Sequence, residues 1–333
     1  MNMFVYFLVL ILSLGYFLYT GQVLMSVSVL VFFLIGVLLL RFITSSKNNI
    51  VYNLYTLFFV VYGSLVLFTQ IELIRDPYED FFVHNDAAFS FYTGIMSQVD
   101  ISDWNSLFST SFLNLVFADY PLASFLFGAI TKIGNDIGIV DLRLFQRIHV
   151  SVLGAMTVGV IAEVLCKWKL QTKVIKRLII PFGLCSYLFI TSAIFSRDIH
   201  VVFLYTLVGY YMLRSEKQMV LLPLIILALL SAGMRPVSGI LVILPISTIV
   251  YSRLSKNNPS MAKLTIIITI ALIFLYARSM IDYGLEKLDF YEEYMSQNAG
   301  TGFFVKIYSQ LYHTSLRKRL QRKVCYTLNL HVV

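Results

Sequence analysis

Charged residues and cysteines are both scarce in this chain. Only 13% of its 333 residues are charged, whereas a soluble domain carries about 25%. This excludes a protein that is covered by water on all sides. The cysteines are Cys166, Cys185 and Cys325, which form no Cys-x-x-Cys pair and no histidine-rich cluster. The sequence therefore indicates neither a disulfide framework nor a metal site.

Long apolar runs take the place of the missing charge, since 58% of the residues are hydrophobic. Continuous runs such as 220–230 and 264–276 exclude the short alternating strands of a membrane barrel. We predict an all-α fold, a polytopic bundle of about 9–11 transmembrane helices. The predicted spans lie near residues 3–19, 22–42, 51–73, 147–166, 177–195, 199–213, 218–233, 237–252 and 263–280. We expect the first to be a retained span rather than a signal peptide, because no positively charged region precedes it.

The loops between the apolar runs sort by the sign of their charge. Four loops contain twelve basic residues, and the only acidic residue in them is Glu216. By the positive-inside rule these loops are cytoplasmic, as is the N-terminus, which predicts a multi-pass protein of the inner or plasma membrane. Orientation and anionic lipids explain the net charge of +8 better than nucleic acid does. The basic residues are Arg41, Lys47, Lys167, Lys169, Lys173, Lys176, Arg177, Arg214, Lys217, Arg253, Lys256 and Lys263.

Residues 74–146 form the predicted extracytoplasmic segment. It contains nine of the eighteen acidic residues and two short apolar stretches, 107–117 and 122–130. Each stretch is shorter than the roughly 20 residues of a span, so we expect interfacial or re-entrant helices, with two tilted spans as the alternative. A surface helix is predicted over 86–98. The whole chain, 1–333, is predicted to be one membrane domain, and the topology of its tail, 281–333, stays open.

Two arginines at the outward ends of the spans are candidates for binding phosphate. Arg197 lies in the turn between the fifth and sixth spans, next to Asp198, and Arg235 precedes Pro236 between the seventh and eighth. A guanidinium offers a planar set of donors that suits phosphate and stays charged. The structural alternatives are an Arg197–Asp198 ion pair and a helix that simply begins at Pro236.

Further candidates lie on the same predicted face. Asp86 is the candidate catalytic base or metal-linked carboxylate, although it could equally cap its helix. His84 beside it and Asp198 are candidate substrate ligands, as are Arg143 and Arg147 at the entrance of the fourth span. For the isolated histidines, His84 and His200, a hydrogen-bonded structural role is the alternative.

These motifs resemble those of integral-membrane enzymes of bacterial surface polysaccharide assembly. The resemblance covers residues 76–245 and is carried by the 84–92 motif (His-Asn-Asp-Ala-Ala-Phe-Ser-Phe-Tyr), by Ser196-Arg197-Asp198 and by Gly233-Met234-Arg235-Pro236. Two groups share it: O-antigen and exopolysaccharide polymerases, and GT-C-type glycosyltransferases that use lipid-linked sugars. The first outer turn, Thr20-Gly21, lacks the acidic residue typical of the GT-C group, which favours the polymerase-like group.

The resemblance implies a polyprenyl-phosphate- or pyrophosphate-linked sugar donor and transfer on the extracytoplasmic face. Arg197 and Arg235 would hold the donor phosphate, and Asp86 would orient or deprotonate the acceptor hydroxyl. No cofactor is predicted, although a divalent cation is compatible with the carboxylates. The expected partners are this substrate and membrane lipids, without nucleic acid. The alternatives are a polysaccharide-precursor transporter or flippase, and a non-catalytic assembly protein.

Overall fold

The computed structural model describes residues 3–44, 46–70, 100–109, 121–185, 187–193, 198–213, 221–234, 236–257 and 259–271. Most of these residues are helical, and there is no strand among them. The chain divides into two compact units, 1–266 and 267–333. Residues 267–271 of the second unit are helical. The predicted single domain stays a prediction, and the tail 281–333 lies outside the described residues.

Eleven helices, apart from the short helical segment 104–109, lie in the described part of the chain. Their bounds are α1 Met3–Thr20, α2 Val23–Thr44, α3 Asn49–Gln70, α4 Pro121–Asp136, α5 Leu142–Lys167, α6 Thr172–Cys185, α7 Tyr187–Thr191, α8 Asp198–Met212, α9 Leu221–Met234, α10 Pro236–Asn257 and α11 Pro259–Ala271. By length and composition α2, α3 and α5 can cross a membrane, and shorter apolar helices lie in α1, α9, α10 and α11. This confirms the predicted helical fold class for the described residues and is consistent with a membrane protein, while the predicted number of spans stays a prediction.

α5 is the central helix of the bundle. It packs against α2, α3, α4, α6 and α8, and 72% of the residues in its most apolar stretch are buried. The helix begins at Leu142, five residues before the predicted start, because the Asp141 carboxylate accepts a hydrogen bond from the Leu144 N–H at 2.8 Å. Such a cap satisfies a backbone donor at the helix start. Arg147 therefore lies inside the helix rather than at its entrance.

The predicted fifth span, 177–195, is two helices in the structure. α6 begins at Thr172, so residues 173–177 belong to its first turns rather than to a loop, and α7 begins at Tyr187. The Tyr62 hydroxyl donates to the Gly183 carbonyl at 3.0 Å, next to the break. This bond satisfies a carbonyl at a helix end, where the last four lack helical partners. The predicted helix start at Pro236 is confirmed, since α10 begins there.

Aromatic side chains fill the space between α2, α3 and α5. Tyr55, Phe58, Phe59 and Tyr62 of α3 are almost completely buried, and Phe33 of α2 packs against Tyr55 at a centroid distance of 5.6 Å. The Tyr55 hydroxyl donates to the Phe33 carbonyl at 3.0 Å. Each buried tyrosine thus contributes apolar area and still has a partner for its hydroxyl.

Candidate functional site

The bundle has two polar ends, and α5 reaches both. At one end α5 carries Arg147, and at the other it carries Lys167. The two residues are twenty positions apart, which corresponds to about 30 Å at 1.5 Å per residue and matches the hydrocarbon thickness of a bilayer. We call these the Arg147 end and the Lys167 end. The ends of α3 and α7 contact Arg147, and the ends of α2 and α8 lie at Lys167.

At the Arg147 end a buried guanidinium joins three helices. Arg147 is 2% exposed and its Nε donates to the Ala193 carbonyl at 2.8 Å. One terminal nitrogen donates to Gln70 Oε1 at 3.3 Å and the other to Thr69 Oγ1. Hydrogen bonds from a charged donor are about twice as strong as neutral ones. We call this arrangement the Arg147 clamp, and it fixes the end of α3 and the turn after α7 to α5.

A serine and a glycine on α5 complete the seat for the turn after α7. The Ser151 hydroxyl donates to the Ser192 carbonyl at 3.0 Å. A Cβ added at Gly154 would overlap Ser192 Oγ and lie 2.5 Å from Ser192 Cβ. Only glycine leaves room for this close approach. Arg147, Ser151 and Gly154 recur every three or four residues, which places them on one face of α5.

A second polar cluster joins α4, α5 and α8 beside the clamp. Gln146 Nε2 donates to the Phe127 carbonyl at 2.7 Å and to Thr131 Oγ1 at 2.8 Å. The Nε2 atoms of His149 and His200 lie 3.2 Å apart. One of these rings therefore donates through Nε2, and the other presents a bare Nε2 as the acceptor. The hydrogen bond is consistent with the structural alternative given for His200.

Both ends of α4 lie at the Arg147 end of the bundle. Near its start, Leu122 is in close contact with Gly233 of α9. After its end, the Val140 N–H donates to Gln22 Oε1, in the turn between α1 and α2, at 3.3 Å. A helix that crossed the bundle would have its two ends on opposite sides. This geometry favours an interfacial or re-entrant α4 over a tilted span.

A short helical segment, 104–109, packs on α4. Trp104 Nε1 donates to Asp136 Oδ2 at 3.2 Å. The rings of Phe108 and Phe125 lie 5.5 Å apart. Two exposed carboxyls near the start of this segment accept hydrogen bonds from backbone N–H groups. The bond from the Ser102 N–H lowers the pKa of Asp100, and the bond from the Ser106 N–H lowers the pKa of Asp103. The rest of the predicted apolar stretch, 110–117, lies outside the described residues.

The Lys167 end is also held by hydrogen bonds. Lys167 Nζ donates to the Tyr210 hydroxyl at 2.9 Å, and that hydroxyl donates to the Thr44 carbonyl at 3.0 Å. Lys167 Nζ also lies 4.3 Å from the centroid of the Tyr210 ring and 3.6 Å from Glu163 Oε1. These contacts place the C-terminal ends of α2, α5 and α8 together, where the sequence predicts the cytoplasmic face.

The predicted site residues fall into two groups. Asp86, His84, Arg197 and Arg235 lie outside the described residues, as does the predicted surface helix 86–98, and their roles stay predictions. Among those that the structure describes, Arg147 is buried, while Arg143 on α5 and Asp198 at the start of α8 are half-buried.

The Arg147 clamp lies where both segments with the predicted chemistry begin. Gln70 ends α3, after which the chain continues toward His84 and Asp86. Ala193 follows α7, and the chain continues from it to Arg197. The structure thus brings together the starting points of these segments at one guanidinium.

Several residues at this end were not among the predicted site residues. They belong to the clamp and to the second cluster: Thr69, Gln70, Gln146, His149, Ser151 and Ser192. The available sequence signal was Gln-Arg-Ile-His at 146–149, because three polar residues within one turn near the start of an apolar helix are expensive in a membrane.

In the part of the chain that the structure describes, no group of three His, Cys, Asp or Glu residues is arranged to hold a metal ion. No protein-family model, curated protein or solved structure matches this chain.

Proposed function

We propose that this protein is a membrane glycosyltransferase or polymerase of surface polysaccharide assembly. It transfers sugar units from a polyprenyl-phosphate- or pyrophosphate-linked donor on the extracytoplasmic face of the inner or plasma membrane. The observation that carries the proposal is the Arg147 clamp. It joins the starting points of the segments that lead to Asp86 and to Arg197, at one end of the bundle and about 30 Å from the Lys167 end.

In this proposal the chemistry is divided among charged side chains of the predicted extracytoplasmic face. Arg197 and Arg235 bind the donor phosphate and stabilise the negative charge that grows on it as the sugar leaves. Asp86 accepts the proton of the acceptor hydroxyl or orients it. Arg143, Asp198 and His84 are the auxiliary substrate ligands.

Arg147 has a different role from the one that the sequence predicts. Its Nε and both terminal nitrogens donate to oxygens of the protein itself. We therefore assign it to positioning, because it fixes the chain just before Arg197. In this proposal Arg147 does not bind the phosphate itself but positions the segment that contains Arg197.

Alanine substitution of the phosphate-binding arginines tests the function. We expect Arg197→Ala and Arg235→Ala each to lower polymer formation by about 10²–10³-fold, as for loss of a donor to developing charge, with the protein still in the membrane. Arg214→Ala removes a guanidinium from the predicted opposite face and should leave polymer length unchanged. Normal polymer length in both test variants would contradict the proposal.

A transporter or flippase for the lipid-linked precursor is the second candidate. The break between α6 and α7 favours it, because broken helices form the substrate sites of many transporters. Purified protein in liposomes separates the two. Elongated product from a lipid-linked repeat unit supports transfer, whereas movement of that unit between leaflets without elongation supports the flippase.

A further inference from the structure

A basic corner lies where α5 ends and α6 begins, at the Lys167 end of the bundle. Residues 167–177 contain five cationic side chains and no acidic one. Four of the five, those after Lys167, are exposed and form no ion pair within the described part of the chain. Those four are Lys169, Lys173, Lys176 and Arg177.

α6 presents this charge on a face that becomes apolar further along the helix. Ile175, Ile179 and Gly183 recur every four residues and form its buried side. Lys173, Arg177 and Leu184 fall on one exposed stripe, because spacings of four and seven residues repeat the same helical direction. The first two are cationic, and the third is an apolar side chain that is 40% exposed. We call this set the α6 stripe.

We propose that the α6 stripe binds an anionic phospholipid. Lys173 and Arg177 bind the headgroup phosphate, and an acyl chain lies along the stripe against Leu184. A soluble phosphate or an acidic protein would bind the cationic side chains without contacting Leu184. The apolar continuation of the same stripe favours a ligand that is anionic at one end and hydrocarbon at the other.

The neighbouring turn holds the stripe at the level of the headgroups. Trp168 caps α5 and is 60% exposed, and tryptophan concentrates where hydrocarbon meets headgroups. Lys169 follows with a backbone φ of 56°, which turns the chain sharply toward α6. Lys167 is tied to Tyr210 at 2.9 Å. The corner therefore starts from a fixed point of the bundle. The proposal does not depend on the polysaccharide function.

Fluorescence quenching in bilayers tests the proposal directly. The chain has two tryptophans, so Trp104→Phe leaves Trp168 as the only tryptophan, beside the stripe. This protein is reconstituted in phosphatidylcholine with either brominated phosphatidylglycerol or brominated phosphatidylcholine at equal mole fraction. We expect the anionic lipid to quench more strongly. One cation near a membrane surface contributes about fivefold in binding, so Lys173→Gln with Arg177→Gln should reduce the preference by about tenfold or more.

The matched control removes two cations elsewhere from the predicted cytoplasmic face. Lys47→Gln with Lys263→Gln, both exposed in the native protein, should leave the preference for phosphatidylglycerol intact. Equal quenching by both lipids in the Trp104→Phe protein would overturn the proposal, as would an equal loss in the two double variants. Displacement of the bound lipid from detergent-solubilised protein by inorganic phosphate alone would show a free-anion site and would also overturn it.

Discussion

Replacing Arg147 by methionine removes the clamp while keeping a long side chain of similar volume. The change deletes hydrogen bonds to the Ala193 carbonyl, Gln70 and Thr69. A hydrogen bond to a charged group contributes about 1.5–3 kcal/mol in soluble proteins, but bonds inside membranes average about 0.6 kcal/mol. For these three bonds, one buried and two part-buried, we expect the free energy of unfolding to fall by about 3 kcal/mol.

The assay is equilibrium unfolding in mixed micelles with increasing SDS, followed by the helical circular dichroism signal. Arg41→Met is the matched control, because Arg41 is exposed near the end of α2 and a surface charge contributes about 0–1 kcal/mol. Arg147→Lys should recover part of the loss, since lysine keeps the charge without the planar set of donors. A loss below about 0.5 kcal/mol for Arg147→Met, within the range of an ordinary surface substitution, would refute the clamp.

Two further predictions concern the close packing at Gly154 and the hydrogen bond of Tyr62. Gly154→Ala should lower the free energy of unfolding by about 2 kcal/mol, because the new Cβ overlaps Ser192. Gly209→Ala is its control and should raise that free energy by about 0.5–1 kcal/mol, since nothing lies within 4 Å of the added Cβ and alanine favours the helix. Tyr62→Phe should lower it by about 1 kcal/mol through loss of the bond to the Gly183 carbonyl. SDS titration measures all three, and a Gly154→Ala protein as stable as the native one would contradict the packing argument.

The class of fold was predictable from composition because the hydrocarbon core imposes long apolar helices. The residues at which the helices begin were less predictable. The start of α5 was missed because the segment from Asp141 to Arg147 carries charge, although Asp141 is the residue that caps the helix. The start of α6 was missed for a similar reason, since cations at 173–177 resemble a loop when only apolar residues are counted. Both cases reflect helices that extend beyond the hydrocarbon layer.

The clamp could not have been predicted, because its partners are distant in sequence and are partly backbone atoms. The Arg147 guanidinium bonds to the carbonyl of Ala193, 46 residues away, and any residue type supplies such a carbonyl. The His149–His200 contact likewise joins residues 51 positions apart. The sequence predicted Arg147 to be a substrate ligand at the entrance of the fourth span, because nothing in it distinguishes an arginine that binds substrate from one that binds the protein itself.

The most direct test of the account is which side of the membrane each polar end faces. Cys166, Cys185 and Cys325 are replaced by serine, and single cysteines are introduced at positions 100, 136, 171 and 255, all exposed in the structure. In intact cells or spheroplasts, a membrane-impermeant thiol reagent should label positions 100 and 136 but not 171 and 255. Labelling of 171 and 255 with protection of 100 and 136 would place the Arg147 end in the cytoplasm and contradict the account.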